Sequence, residues 1–175
     1  EANTVLIHPG VSKLSVNLGM IKTVPASTWA ETIDLLISNG KKVMLAGGPD
    51  DKECIETIRN TINCKENPNF SDYYGKTKNL VELAQLISRA EIFLCSDSAP
   101  LHIAVALKTK TFVIFGATDY KKLIPESELV TPIMSSDNCS LKPCLWERRQ
   151  TTCEKLACLN ITAEQIAQTI LNASL

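Results

Sequence analysis

The chain has 175 residues, enough for one domain with a sizeable core, or one domain and a small extension. Hydrophobic content of 45% and charged content of 21% are ordinary for a globular protein. Eighteen basic residues against 19 acidic leave a net charge of −1, which excludes the basic footprint of a nucleic-acid binder. No apolar run approaches a membrane span, and the N-terminus has no signal-peptide pattern. Glu1-Ala2-Asn3 leads straight into a strand, which reads as the start of a fragment or a trimmed domain.

Strands and helices alternate along the chain. Thr4-Val5-Leu6-Ile7-His8 is a short β-branched run ending in Pro9-Gly10, the pattern of a buried strand and its exit loop. A polar, glycine-containing insert from Val11 to Met20 follows. Pro25 to Asn39 is amphipathic, with Trp29, Ile33, Leu36 and Ile37 at helical spacing, and Asn39-Gly40 closes it. Lys42 to Ala46 is the second strand, and Gly47-Gly48-Pro49 turns it into a helix from about Asp50 to Ile62. Phe70 to Tyr74 is a weaker third strand, polar enough for an edge. Asn79-x-x-Glu82 resembles a capping box for a helix from Leu80 to Arg89.

The fourth strand, Glu91 to Cys95, runs into Asp97-Ser98-Ala99-Pro100-Leu101-His102 and a helix reaching Lys108. Ser98 suits the cap position and Pro100 the first turn, where its missing N–H costs nothing. Such a helix start aims free N–H groups and the positive end of the dipole beyond the strand tip. A fifth strand, Thr111 to Phe115, ends in Gly116-Ala117-Thr118-Asp119. A sixth, Leu129 to Met134, contains Pro132 and therefore belongs at an edge. The closing helix, at about 162–174, starts with Thr162 as cap, Gln165 three residues on, and Ile161 with Ile166 as a hydrophobic staple.

Continuously apolar strands are buried on both faces, and intervening helices demand parallel pairing, so the expected fold is α/β: a doubly wound, mostly parallel, six-stranded Rossmann-like sheet. If the order is 3-2-1-4-5-6, strands 1 and 4 are neighbours and a crevice opens between their carboxyl ends. The loops there are His8-Pro9-Gly10-Val11-Ser12 and Asp97 to His102, and both of the chain's histidines fall in them.

Each candidate group has a plain alternative. Asp97 either accepts hydrogen bonds from sugar hydroxyls or ties down its own loop. His102 either faces a ligand or is satisfied by a core carbonyl, and His8, at the end of a buried strand, reads as structural. Lys22 is either a solvated lysine or an ammonium that neutralises phosphate charge. Asp50 and Asp51 stand where a dinucleotide fold places its ribose carboxylate, although acids are common in first helical turns. The chain has no G-x-G-x-x-G after strand 1, no Walker P-loop, no H-E-x-x-H and no G-x-S-x-G, which argues against nicotinamide dehydrogenases, P-loop nucleotidases, zincins and serine hydrolases.

Of seven cysteines, Cys54, Cys64 and Cys95 lie in apolar contexts where a thiol is a small hydrophobe. The Cys-rich loop, at about 137–159, carries Cys139-x4-Cys144 and Cys153-x4-Cys158, open to three readings: plain thiols, a zinc site, or disulfides.

An ordered series of short motifs runs along nearly the whole chain. It comprises His8-Pro9-Gly10-x-Ser12, Lys22-x-x-Pro25 with Trp29 and Leu36, Gly47-Gly48-Pro49, Gly75-Lys76-Thr77 with Leu80 and Glu82-Leu83-Ala84, Asp97-Ser98-x-Pro100-x-His102, Phe115-Gly116-x-Thr118-Asp119, Pro143-Cys144 and Cys158-Leu159. The series resembles glycosyltransferase family 9, the lipopolysaccharide heptosyltransferases, and specifically the C-terminal, nucleotide-sugar-binding half of their two-domain GT-B fold. The resemblance implies that residues 1–175 are a donor-binding domain without the N-terminal acceptor domain.

The same resemblance implies an ADP-heptose donor and no obligatory cofactor or metal. Lys22 then meets the diphosphate with Ser12 nearby, Asp50 or Asp51 takes the ribose, and Thr77 sits by the base. Asp97, Ser98, Ala99 and His102 hold the sugar and diphosphate. Transfer is inverting, and the proton-abstracting carboxylate lies in the other domain, so this chain alone is expected to bind donor weakly and transfer nothing. The implied acceptor is the lipopolysaccharide core, and the implied place is the cytoplasm, including the cytoplasmic face of the inner membrane. Two departures stand out. The segment from Ser12 to Lys22 is longer than usual, and Ala99 replaces a common glycine. The rival readings are a nucleotide-sugar epimerase of similar fold, disfavoured by Leu101-His102-Ile103-Ala104 where an acidic run is expected, and a non-catalytic nucleotide-binding module.

Overall fold

The computed structural model describes residues 1–144, 153 and 156–173. Six strands, β1 (Thr4–His8), β2 (Lys42–Leu45), β3 (Phe70–Asp72), β4 (Ile92–Ser96), β5 (Lys110–Ile114) and β6 (Val130–Ile133), form one sheet in the order β3-β2-β1-β4-β5-β6. Every adjacent pair is parallel, as the apolar runs demand. Ile7 stands level with Leu45 of β2 and Leu94 of β4, so the exits of these three strands open at one edge.

The helices are α1 (Lys13–Asn17), α2 (Ala26–Ser38), α3 (Lys52–Thr61), α4 (Leu80–Arg89), α5 (Ala99–Ala106) and α6 (Ala163–Asn172). Strand side chains alternate between two cores. Val5, Ile7, Val43, Leu45, Leu94 and Ile114 pack with Trp29, Ile33 and Leu36 of α2, Ile55 and Ile58 of α3, and Ile166 and Ile170 of α6. Leu6, Met44, Phe93, Cys95 and Phe115 point the other way, onto Leu83, Leu86 and Ile87 of α4 and Leu101 and Ala104 of α5. Each fully buried Leu or Ile contributes roughly 1.5–3 kcal/mol, and these two layers sandwich the sheet.

Several boundaries differ from the sequence expectation. The insert from Val11 to Met20 folds a one-turn helix, α1, because the Ser12 hydroxyl accepts the Ser15 N–H at 3.2 Å. The third strand stops at Asp72, whose carboxylate accepts the Tyr74 N–H (2.9 Å) and pairs with Arg59, turning the chain out of the sheet. Pro49 to Asp51 form a 3-10 turn, so α3 begins only at Lys52. The helix after β4 ends at Ala106, and Lys108 adopts a left-handed φ of 57°. Asn79 caps α4 by accepting the Glu82 N–H at 3.0 Å, and Thr162 caps α6 by accepting the Gln165 N–H at 3.2 Å, both as expected. Pro132 lies on the edge strand β6. Residue 174, the expected end of the closing helix, falls outside the described residues.

Two carboxylates tie elements together. Asp34 of α2 accepts the backbone N–H groups of Asn63 and Cys64 (3.0–3.1 Å) and the Asn63 amide (2.9 Å), fastening the chain just beyond α3 to α2. Partial burial pushes its carboxyl up, but the hydrogen bonds from Cys64 and Asn63 outweigh that and hold it below the usual carboxylate value. Asp51, buried at the start of α3, accepts the Gly48 N–H at 2.8 Å. It also lies flat against Gly10, where an added Cβ would stand 1.8 Å from Asp51 Oδ1. The β1 and β2 exit loops are clasped there, and Gly10 is required by that close approach.

Asp34→Ala is expected to lower stability by about 1–2 kcal/mol near neutral pH. A group depressed in the folded state contributes fully above its unfolded value of 3.8, and the contribution fades as pH falls through the lower folded value. Denaturant melts of both proteins should therefore draw together only as pH falls below 3.8, through that lower folded value. Gly10→Ala is expected to cost about 1–3 kcal/mol through overpacking against Asp51, measured by thermal denaturation.

Candidate functional site

The site grows from the ends of β1 and β4. Past His8 the Pro9 carbonyl leaves the ladder, and a buried carbonyl needs a partner. The Ser96 hydroxyl, at the end of β4, supplies one at 2.8 Å and also reaches Thr23 Oγ1 at 2.9 Å. Thr23 donates to the same Pro9 carbonyl (3.1 Å) and accepts the Trp29 indole N–H (2.9 Å). Both strand exits and the segment leading into α2 are thus pinned together, with Trp29 fully buried behind them.

That knot sets Lys22 beside Asp97. Lys22 Nζ lies 3.0 Å from Asp97 Oδ2, with side-chain exposures of 16% and 5%. Thr118, in the loop after β5, donates to the same oxygen at 2.9 Å. Removing one member of so enclosed a pair strands the other charge.

Ser98 occupies the cap position of α5, but the expected side-chain cap is absent. Its hydroxyl donates back to the Ser96 carbonyl at 3.3 Å and accepts no helix N–H. Pro100 has no N–H to satisfy, and the N-terminus of α5 faces the crevice without a side-chain lid.

A cavity of about 390 Å³ lies over this edge, walled by the β1 exit loop, the Gly47–Asp51 loop, residues 77–80 and the start of α5. It brings together five of the sequence candidates: Ser12, Asp50, Thr77, Ser98 and Ala99. Leu80, Leu83 and Pro100 add an apolar wall. Apolar surface, three hydroxyls, a carboxylate and a helix N-terminus suit a ligand that joins an aromatic base to a polyol and an anion. A larger open hollow, about 1150 Å³, shares Gly10, Val11 and residues 49–51 and extends towards α1 and α3. The smaller cavity is the better candidate, because both the β4 exit and the α5 N-terminus line it.

The remaining candidates separate. Lys22 and Asp97 meet each other and line neither cavity. His102 is exposed on α5 and also lines neither. Of the adjacent acids, Asp50 is exposed to the cavity, whereas Asp51 is consumed by the clasp to Gly48 and Gly10. His8 is buried with Nε2 3.7 Å from Asp51 Oδ2, and its Nδ1 has no partner among the described residues. Burial pushes His8 below the ordinary imidazole value, opposed by the Asp51 charge. Burial pushes Asp51 up, opposed by His8 and the Gly48 N–H.

Sequence reasoning assigned no role to Thr118, Ser96 or Thr23. Thr118 stood in a motif, but its partner lies on another loop, and nothing local announces that.

The cysteines in apolar contexts are inert thiols: burial pushes Cys54 up to about 11, Cys64 up to about 12, and Cys95 well above the ordinary value. Cys139, Cys144, Cys153 and Cys158 form no disulfide among the described residues. Among the described residues no three His, Cys, Asp or Glu side chains, these four included, are grouped to hold a metal ion. Cys144 and Cys158 instead back the β5 exit. The Cys144 N–H donates to Ala117 at 3.0 Å, and Cys158 Sγ lies 3.5 Å from where a Gly116 Cβ would stand. No helix among the described residues is long and apolar enough to cross a membrane.

Comparison with known proteins agrees with the motif series. "Lipopolysaccharide heptosyltransferase 3" of Escherichia coli K12 is 40% identical over 94 residues, 53% of this chain and 26% of that protein. "Lipooligosaccharide heptosyltransferase 2" of Campylobacter jejuni serotype O:6 is 27% identical over 148 residues, 84% of this chain and 43% of that protein. The solved structure of E. coli ADP-heptose lps heptosyltransferase II superposes with a TM-score of 0.73 at 21% identity, over 98% of this chain and 46% of that one, and shares the fold. The chain therefore spans less than half the length of these relatives. Residues 2–155 match the family described as "Glycosyltransferase family 9 (heptosyltransferase)", and the chain belongs to that family.

Proposed function

We propose that this chain is the donor-binding half of an inverting glycosyltransferase that takes a sugar, ADP-heptose, from its nucleoside diphosphate and passes it to the lipopolysaccharide core. The observation that carries the reading is the meeting of Lys22 and Asp97 beside an α5 N-terminus at the β1/β4 crevice. A nucleotide sugar needs a cationic and amide-lined place for its diphosphate next to a carboxylate for its hydroxyls. Few other ligands need both at once.

In this reading the base lies by Thr77 against Leu80 and Leu83, and Asp50 takes the ribose hydroxyls from the cavity floor. Ser12 and the α5 N-terminus approach the phosphates, and Ala99 and Ser98 present backbone there. The Lys22 ammonium neutralises charge on the diphosphate as it leaves, while Asp97 accepts hydrogen bonds from the sugar. His102, one turn into α5, flanks the sugar side. A carboxylate elsewhere in the complete enzyme removes the acceptor proton, and the acceptor hydroxyl attacks the anomeric carbon as the nucleoside diphosphate departs. In this reading the site works in the cytoplasm, including the cytoplasmic face of the inner membrane.

Calorimetric titration of the full-length protein with ADP, UDP and their sugars tests this. Saturable ADP and ADP-heptose binding is expected, with ADP weakened by tenfold or more, about 1.4 kcal/mol, in Lys22→Ala and ADP-heptose weakened by tenfold or more in Asp97→Ala, and folding checked by thermal denaturation. A wild-type protein that binds no nucleotide overturns the proposal, and preference for UDP sugars moves it to a different donor class.

A further inference from the structure

Asp97 presents its two oxygens unequally. Oδ2 receives both the Lys22 ammonium (3.0 Å) and the Thr118 hydroxyl (2.9 Å). No hydrogen bond to Oδ1 is found among the described residues, and the residue as a whole is 4% exposed. We propose that Thr118 is the positioning residue of the glycosyl subsite, fixing the Asp97 carboxylate through Oδ2 so that Oδ1 meets the sugar. The inference rests on the donor-binding reading above.

The physical need for a second anchor follows from charge. A diphosphate arriving at Lys22 competes with Asp97 for one ammonium, and it brings like charge close to the carboxylate. Held by Lys22 alone, Asp97 is free to turn away at the moment it is needed. A hydroxyl donor is neutral, so the approach of phosphate does not draw it off. Thr118 is also well suited to hold still. It is 2% exposed, and its branched Cβ restricts χ1.

Its loop is braced on three sides. The Phe115 N–H donates to Ile133 (3.0 Å), and the Ala117 carbonyl accepts the Cys144 N–H (3.0 Å). Gly116 is packed so closely on Leu159 that a Cβ would stand 2.7 Å from Leu159 Cδ2. Cys144 and Leu159 thereby brace the loop that carries Thr118.

The test compares ADP with ADP-heptose by calorimetry on the full-length protein. Thr118→Val, which keeps the shape and removes the hydroxyl, is expected to weaken ADP-heptose about tenfold while ADP changes by less than about twofold. Thr118→Ser is expected to restore ADP-heptose binding. In an Asp97→Asn background the added Thr118→Val change is expected to have little further effect, since the residue acts through Asp97. A lowered melting temperature alone leaves the ratio of the two affinities unmoved, so the ratio separates positioning from general destabilisation. Equal losses for both ligands, no loss in Thr118→Val, or additive losses in the double variant overturn this proposal alone. A wild-type protein that binds neither ligand overturns it together with the donor-binding reading.

Discussion

The Pro9 carbonyl is the point on which the crevice depends. It is the first backbone acceptor beyond β1 that the ladder does not serve, and it receives two hydroxyls, from Ser96 and Thr23. A buried carbonyl left empty costs on the order of 1–3 kcal/mol, so the chain has a strong reason to bring these residues together. Doing so draws the end of β4 and the start of α2 onto the end of β1. Lys22 and Asp97 are the immediate neighbours of Thr23 and Ser96, and their ion pair is a consequence of that knot. The charges at the crevice are placed by uncharged hydroxyls one residue away.

The opposite wall is organised by a different contact. Asp51 gives one oxygen to the Gly48 N–H and lies against the α-carbon of Gly10. Two loops that carry no regular structure are thereby fixed at a set spacing, and the exposed Asp50 is left at the cavity. One acid of an adjacent pair holds the frame and the other faces the ligand space. His8 completes the frame, its imidazole pushed below the ordinary value by burial against the opposing Asp51 charge, with Nε2 3.7 Å from Asp51 Oδ2.

The C-terminal cysteine segment has a structural place that its spacing alone did not suggest. Cys144 and Cys158 make backbone and packing contacts to Ala117 and Gly116. Those residues precede Thr118, so the two cysteines bear on the loop that carries it.

Much of the fold was legible in the chain itself. Uninterrupted apolar runs such as Thr4 to His8 and Ile92 to Ser96 declared strands buried on both faces, and the helices between them required parallel pairing. The caps at Asn79 and Thr162 were equally plain, because a cap is satisfied within one helical turn. The Ser98 cap was not, because its hydroxyl found a carbonyl two residues back instead. The division of labour between Asp50 and Asp51, the close approach at Gly10 and the hold of Thr118 on Asp97 were also hidden. Local periodicity determines which segments become strands and helices and which faces they bury. Hydrogen-bond partners between strand exits depend on sheet order and loop path, so only the tertiary structure decides which carboxylate is held and by what.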